Sequence, residues 1–111
     1  MSPKVRLAMR FIDGNLQRDI YVNDAAEEVG LSPSHFSHLF KAEMGMSFYR
    51  YLIKARLEKA RNLLEESPMP VKLIAFEVGY KDPGHFEREF KKAYAVTPSQ
   101  YRADYLCRIA I

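Results

Sequence analysis

The chain has 111 residues, which is enough for one domain whose core needs neither a disulfide nor a metal ion. Its single cysteine, Cys107, excludes an internal disulfide, and no apolar run approaches the roughly 20 residues that cross a bilayer. Because no segment has the pattern of a secretory signal peptide, we expect a cytoplasmic protein with no membrane partner.

The net charge is modestly positive, +3, from 17 Lys and Arg against 14 Asp and Glu. Residues 1–47 carry 5 basic and 6 acidic side chains, residues 48–67 carry 5 and 3, and residues 68–111 carry 7 and 5. The basic excess therefore lies in the middle and the C-terminal half of the chain. It favours a polyanionic partner but does not by itself identify DNA.

The first predicted elements are three helices. An amphipathic helix spans residues 4–13, and a short helix follows whose apolar residues have helical spacing: Val22, Ala25, Ala26 and Val29. Gly30 can adopt the positive φ of a sharp turn, and Pro33 then stands where helices begin. In the next helix, residues 33–44, Phe36 and Phe40 share one face and polar residues share the other. Helix, glycine turn and amphipathic helix together indicate a helix-turn-helix.

A second copy of this unit follows 49 to 50 residues later. Val71, Ile74, Ala75, Val78 and Gly79 repeat the first short helix and its glycine, and Phe86 and Phe90 repeat the aromatic anchors of a helix over residues 83–94. The small residues Ala26 and Ala75 are expected where the two helices of each unit cross closely. A pattern repeated with matching anchors predicts two helix-turn-helix units.

A long helix is predicted between the two units, over residues 48–67, with an apolar stripe of Ile53, Leu57, Ala60 and Leu64. At 1.5 Å per residue it spans roughly 27 Å and could hold the units at a fixed separation. Thr97 as N-cap and Pro98 begin a last helix. We therefore predict an all-α fold of about seven helices: a first subdomain, 1–47, a linker helix, 48–67, and a second subdomain, 68–111, in one DNA-binding domain.

The segment "IAFEVGYKDPGHFEREFKKAYAVTPSQYR", residues 74–102, resembles the DNA-binding domain of the AraC/XylS family of bacterial transcription regulators. The resemblance covers the chain from the first helix to Arg102. Tyr80 replaces the usual Phe, and Ala95 replaces a Gly that Gly45 keeps in the first unit. We expect Ala95 to strain or reshape the end of its helix.

The resemblance implies two recognition helices, about 33–44 and 83–94, in successive major grooves of one duplex. The residues that face outward are then expected to read bases: Ser34, Ser37, His38, Gly84, Glu87 and Arg88. Arg88 can make a bidentate contact with guanine, and Glu87 can either accept from cytosine or pair with Lys91 on the helix surface. Because the outward residues differ between the units, the site should be asymmetric.

Phosphate contacts are expected from Lys41, Arg50, Lys54, Lys91 and Lys92, and from backbone N–H groups at the helix starts near Ser47 and Thr97. Arg102 could touch DNA or pair with an acidic side chain. His35 and His85 occupy matching positions beside Phe36 and Phe86, and are expected to pack or hydrogen-bond near the turns. We expect no metal site, because His35 and His38 have no cysteine or carboxylate set at ligand spacing.

We expect no enzymatic activity, metal or cofactor, because the sequence has no phosphate-binding glycine loop and no nucleophile motif. The family's mechanism implies activation through RNA polymerase. An alternative is a helix-turn-helix module that binds proteins and no longer binds DNA. The chain could be a whole small regulator or, as we favour, the C-terminal part of a longer one, monomeric here and dimerising through another domain.

Overall fold

Residues 1–110, which the computed structural model describes, form seven helices and contain no strand, confirming the all-α prediction. The helices are α1 (Pro3–Asp13), α2 (Val22–Glu28), α3 (Pro33–Met44), α4 (Phe48–Glu66), α5 (Val71–Glu77), α6 (Pro83–Tyr94) and α7 (Pro98–Ile109). Among these residues no helix is both long and apolar enough to span a membrane.

The chain divides into two compact units, Met1–Ala55 and Arg56–Ile111, each with its own core. The first core is centred on Phe36 and Phe40 of α3 and is joined by apolar side chains of the other helices, among them Val5, Ala8, Ile12, Ala25, Ala26, Phe48 and Leu52. The second core contains Leu57, Ala60, Leu64, Ile74, Ala75, Val78, Tyr80, Phe86 and Phe90. Each recognition helix is therefore supported by a core within its own unit.

Helix α4 serves both cores. It contributes Phe48 and Leu52 to the first, and Leu57, Ala60 and Leu64 to the second. The prediction that Ile53 shares the stripe of Leu57 is wrong, because Ile53 is 39% exposed and Leu57 only 3%. A single helical stripe cannot continue where one core ends and another begins, so the buried face changes between Leu52 and Leu57.

The two helix-turn-helix turns have the same backbone hydrogen bonds. Leu31 N donates to Ala26 O in the first turn and Tyr80 N donates to Ala75 O in the second, each at 2.9 Å. Gly30 and Gly79 take positive φ angles of 71° and 105°, as their position predicts. The repeat in the sequence is thus a repeat of backbone geometry.

Ala95 ends α6 without reshaping it. Its φ and ψ are 68° and 0°, close to the 73° and 7° of Gly45 at the end of α3, and both residues donate a backbone N–H to the carbonyl of a lysine, Lys91 and Lys41 respectively. Ala95 is the one non-glycine residue with positive φ in the part of the chain described. The expected strain is present, but the expected change of geometry is not.

Matching tyrosines pack against matching phenylalanines after each recognition helix. The rings of Phe40 and Tyr51 are 5.7 Å apart at 76°, and those of Phe90 and Tyr101 are 5.8 Å apart at 77°. Both tyrosines also donate a hydrogen bond to an acid of an earlier helix, Tyr51 to Asp13 and Tyr101 to Glu65. These contacts fix the helix that follows each recognition helix against its own unit.

Candidate nucleic-acid interface

Helix α3 exposes the polar face that the sequence predicts. Phe36 and Phe40 are buried, while the side chains expected to contact DNA, Ser34, Ser37, His38 and Lys41, are all exposed. Ser37, His38 and Lys41 line one groove together with Ala42. The Ser32 hydroxyl accepts from His35 N at 3.2 Å and Pro33 follows it, so the start of α3 is fixed by a cap and a proline.

The far end of α3 is also held. Glu43 Oε1 accepts from the backbone N–H of Ser2 at 2.5 Å, and this hydrogen bond lowers the pKa of the Glu43 carboxyl. Ser2 is in turn the N-cap of α1. Hydrogen bonds within the first unit therefore hold both ends of α3, through Ser32 at its start and Glu43 near its end. This favours a preorganised outward face.

Helix α6 exposes Glu87, Arg88, Lys91 and Lys92, also as predicted. Gly84 is different: it is half-buried, it has no side chain, and its N–H already donates to Asp82 Oδ1 at 3.0 Å. A Cβ at Gly84 would lie 3.3 Å from Asp82 Oδ1 and 3.5 Å from Arg88 Nη1, the second an ordinary van der Waals distance. Gly84 therefore presents neither a side chain nor an unbonded N–H on this part of α6.

The carboxylate of Glu87 has two predicted roles, a contact with cytosine and an ion pair with Lys91. Among the residues described, no ion pair joins Glu87 to Lys91, whereas His85 Nε2 lies 3.5 Å from Glu89 Oε1 on the same helix. In the DNA-free domain Glu87 is thus exposed and unpaired. This leaves its carboxylate available for an amine donor in the major groove.

The predicted phosphate contacts fall into two groups. The basic side chains are all exposed: Lys41, Arg50, Lys54, Lys91 and Lys92. At the helix starts the two units differ. The Ser47 hydroxyl accepts from Arg50 N at 3.2 Å, and the N–H groups of Ser47, Phe48 and Tyr49 bond no described residue.

At the start of α7 fewer N–H groups remain. Thr97 N donates to Gln100 Oε1 at 3.0 Å and Gln100 N donates to the Thr97 hydroxyl at 3.2 Å, which forms a reciprocal capping box. Pro98 has no N–H, so Ser99 supplies the one backbone donor left in this turn. The start of α4 consequently has more unbonded N–H groups than the start of α7.

Among the described residues, Arg102 does not pair with an acidic side chain, one of the two partners considered from the sequence. Its guanidinium donates to backbone carbonyls at the end of α4, with Nε 3.1 Å from Leu64 O and Nη2 3.0 Å from Ser67 O. Last-turn carbonyls lack partners within a helix, and a cation there also opposes the negative end of the helix dipole. Arg102 is therefore a structural cap.

A family model described as "Helix-turn-helix domain" matches residues 25–104. Among solved structures, the C-terminal domain of AraT, a response regulator from Geobacillus stearothermophilus, is 39% identical with a TM-score of 0.87, covering 93% of this chain and 86% of that one. The chain belongs to the AraC/XylS family.

Two further AraC-type relatives extend this comparison. The arabinose operon regulatory protein of Escherichia coli is 35% identical over 104 residues, which cover 93% of this chain and 36% of that protein. Regulatory protein PocR of Salmonella typhimurium is 37% identical over 99 residues, 89% of this chain and 33% of that protein. The chain thus spans about a third of the length of the curated relatives it matches.

One solved AraC-type structure contains DNA. The DNA-binding domain of AdpA, a global transcriptional factor, in complex with a target DNA, has a TM-score of 0.90 and 25% identity and covers 96% of each chain. The fold of this chain is therefore that of an AraC-type DNA-binding domain.

Sequence reasoning missed three features of the interface. It did not foresee the Arg102 cap, the occupation of the Thr97 N–H by Gln100, or the attachment of His38 to Ser34, whose carbonyl oxygen lies 2.8 Å from His38 Nδ1. A signal existed for the second, because Thr97 and Gln100 have the spacing of a capping box. The first is a contact 38 residues apart in the chain, for which the sequence held no signal.

Proposed function

We propose that this domain is a sequence-specific double-stranded DNA-binding transcription regulator. Helices α3 and α6 would enter successive major grooves of an asymmetric promoter site. The observation that carries the proposal is the pair of exposed polar faces on two helices with the same buried anchors and the same turns. Ser34, Ser37 and His38 form one face, and Gly84, Glu87 and Arg88 form the other.

The division of roles follows from chemistry. Arg88 offers paired N–H donors that match guanine O6 and N7, and Glu87 offers acceptors that match cytosine N4. Lys41, Arg50, Lys54, Lys91, Lys92 and the helix starts at Ser47 and Thr97 would hold phosphates and set the register.

The wider role rests on the family. We propose an activator that acts in the bacterial cytoplasm by recruiting RNA polymerase and has no enzymatic activity. The domain would bind DNA as a monomer, and because the relatives are about three times as long, a longer regulator would add a domain for sensing or dimerisation. Co-immobilised promoter DNA, purified polymerase and this domain would test recruitment directly.

A salt titration of binding to random duplex DNA tests the central claim. Each phosphate neutralised by Lys or Arg releases counterions, so affinity should fall steeply as salt rises. Failure to bind even at low salt would instead favour the protein-binding alternative. Selection from a random duplex library would then give the site, which should contain two different half-sites.

Two substitutions separate base reading from phosphate binding. Arg88→Ala should flatten base preference at one position of the second half-site, with a loss of about 1–3 kcal/mol on the best sequence. Lys91→Ala, the matched control on the same helix, should weaken all sequences alike and reduce the salt slope by about one. An unchanged selected sequence with Arg88→Ala would remove Arg88 from the reading face.

A further inference from the structure

The His38 ring is fixed to its own helix through one of its two nitrogens. Nδ1 lies 2.8 Å from the carbonyl oxygen of Ser34, one helical turn earlier. A carbonyl oxygen can only accept a hydrogen bond, so Nδ1 must carry the proton. In the neutral imidazole the other nitrogen, Nε2, then has a lone pair and no hydrogen, and it can only accept.

The accepting nitrogen is available. Nε2 bonds none of the described residues, the His38 side chain is exposed, and it lines the same groove as Ser37 and Lys41. The bond to Ser34 also restricts rotation of the ring, because turning it over would replace the Nδ1–H donor with the carbon-bound hydrogen of Cδ2 and lose the hydrogen bond. The ring thus presents a defined acceptor on the outward face of α3.

We propose that His38 Nε2 reads an exocyclic amine of the major groove, N6 of adenine or N4 of cytosine. This inference rests on the proposed DNA-binding function and assigns the kind of base edge that the first unit recognises there. Those two amines are the donors that base edges offer in the major groove. Guanine and thymine offer acceptors instead, whose lone pairs would face that of Nε2.

The matching position of the second unit has the opposite chemistry. Arg88, 50 residues after His38, has five N–H donors and no acceptor, and so suits guanine. One unit therefore presents an acceptor and the other presents donors at the same place on the recognition helix. At this position the two half-sites would differ because His38 accepts a hydrogen bond and Arg88 donates them. The two side chains also differ in size.

Base analogues test the assignment atom by atom. In the selected site, the position that His38→Ala flattens should be adenine or cytosine. If it is adenine, replacing it with purine removes N6 and should lower affinity about 3- to 10-fold, whereas 7-deazaadenine keeps N6 and should bind normally. If it is cytosine, 2-pyrimidinone, which lacks the amine, should show the same loss.

An exchange variant and its control complete the test. His38→Arg should convert the preferred base to guanine, while His35→Gln, an exposed histidine of the same helix, should leave the site unchanged. Nitrogen NMR of the DNA-free domain at about pH 8 should show the proton on Nδ1 of His38. The proposal is overturned by a preference for guanine or thymine, by no preference, by normal binding without the amine, or by a proton on Nε2. Any of these four outcomes is compatible with salt-dependent DNA binding by the domain. Loss of all DNA binding would overturn the proposed function as well.

Discussion

Ala95 occupies the same left-handed conformation as Gly45, with φ of 68° against 73°, at the end of the matching recognition helix. An L side chain in this region costs about 1–2 kcal/mol, and glycine has the offsetting cost of greater freedom in the unfolded chain, about 0.4–1 kcal/mol. We therefore expect Ala95→Gly to stabilise the protein by about 0.5–1 kcal/mol in urea unfolding.

The reciprocal change provides the control. A Cβ at Gly45 would meet no atom within 4 Å, so Gly45→Ala adds backbone strain without a steric clash. It should destabilise by about 0.5–1 kcal/mol. Equal stability of the wild type and both variants would mean that neither helix end is strained.

The hydroxyl of Tyr80 is buried and makes no hydrogen bond within the described part of the chain. Burying an unpaired hydroxyl costs about 1–3 kcal/mol, so Tyr80→Phe should stabilise the protein by about 1 kcal/mol. Urea midpoints of the two proteins at neutral pH measure this. A clear loss of stability in Tyr80→Phe would show that the hydroxyl has a partner.

The same residue predicts a dependence on alkaline pH. Burial, with a smaller contribution from Glu89, raises the pKa of Tyr80 from 10.0 to about 12. Between these values the unfolded tyrosine loses its proton while the folded one keeps it, so stability falls as pH rises. Tyr80→Phe should lose stability less steeply over this range, and Tyr94 and Tyr101, whose pKa values are also raised, supply the slope that remains.

The Arg102 cap predicts a cost in stability without a change in specificity. Arg102→Ala leaves the Leu64 and Ser67 carbonyls without their charged donor and should destabilise by about 1–2 kcal/mol. Arg108→Ala, an exposed arginine of the same helix, should cost less than about 0.5 kcal/mol. Selection from a random duplex library with Arg102→Ala should give the same DNA sequence as the wild type. A different selected sequence would mean that Arg102 contacts DNA.

The change of buried face along α4 can be checked with two truncations four residues apart. Leu57→Ala removes a side chain from the second core and should cost about 2–5 kcal/mol. Ile53→Ala alters an exposed position and should stay within about 0.5 kcal/mol. If the two variants lost similar amounts of stability in thermal unfolding, Ile53 would belong to the buried stripe after all.

The helices were predictable because their signals are local. Apolar spacing, the glycines at 30 and 79 and the proline–cap pairs depend only on residues within a few positions, and the repeat supplied each signal twice. The outward faces of α3 and α6 followed as the complement of the buried phenylalanines.

What could not be predicted depends on partners distant in the chain. Arg102 caps a helix 38 residues away, and Ile53 is exposed because α4 passes from one core to another. The His38 bond to Ser34 is local, but serine at that position gives no indication that its carbonyl will bind a ring nitrogen. Contacts with DNA depend on a partner outside the chain, so neither local spacing nor the chain's own packing determines them.

The separate cores behind α3 and α6 also bear on how such a protein can change over generations. Since each recognition helix is supported by side chains of its own unit, a substitution on one outward face leaves the support of the other face in place. Under the proposed function, the unchanged unit would keep its DNA contacts while the altered one acquires a new base preference. A regulator with two separately supported units could therefore change its DNA site one half-site at a time, and each intermediate would keep the contacts of one unit.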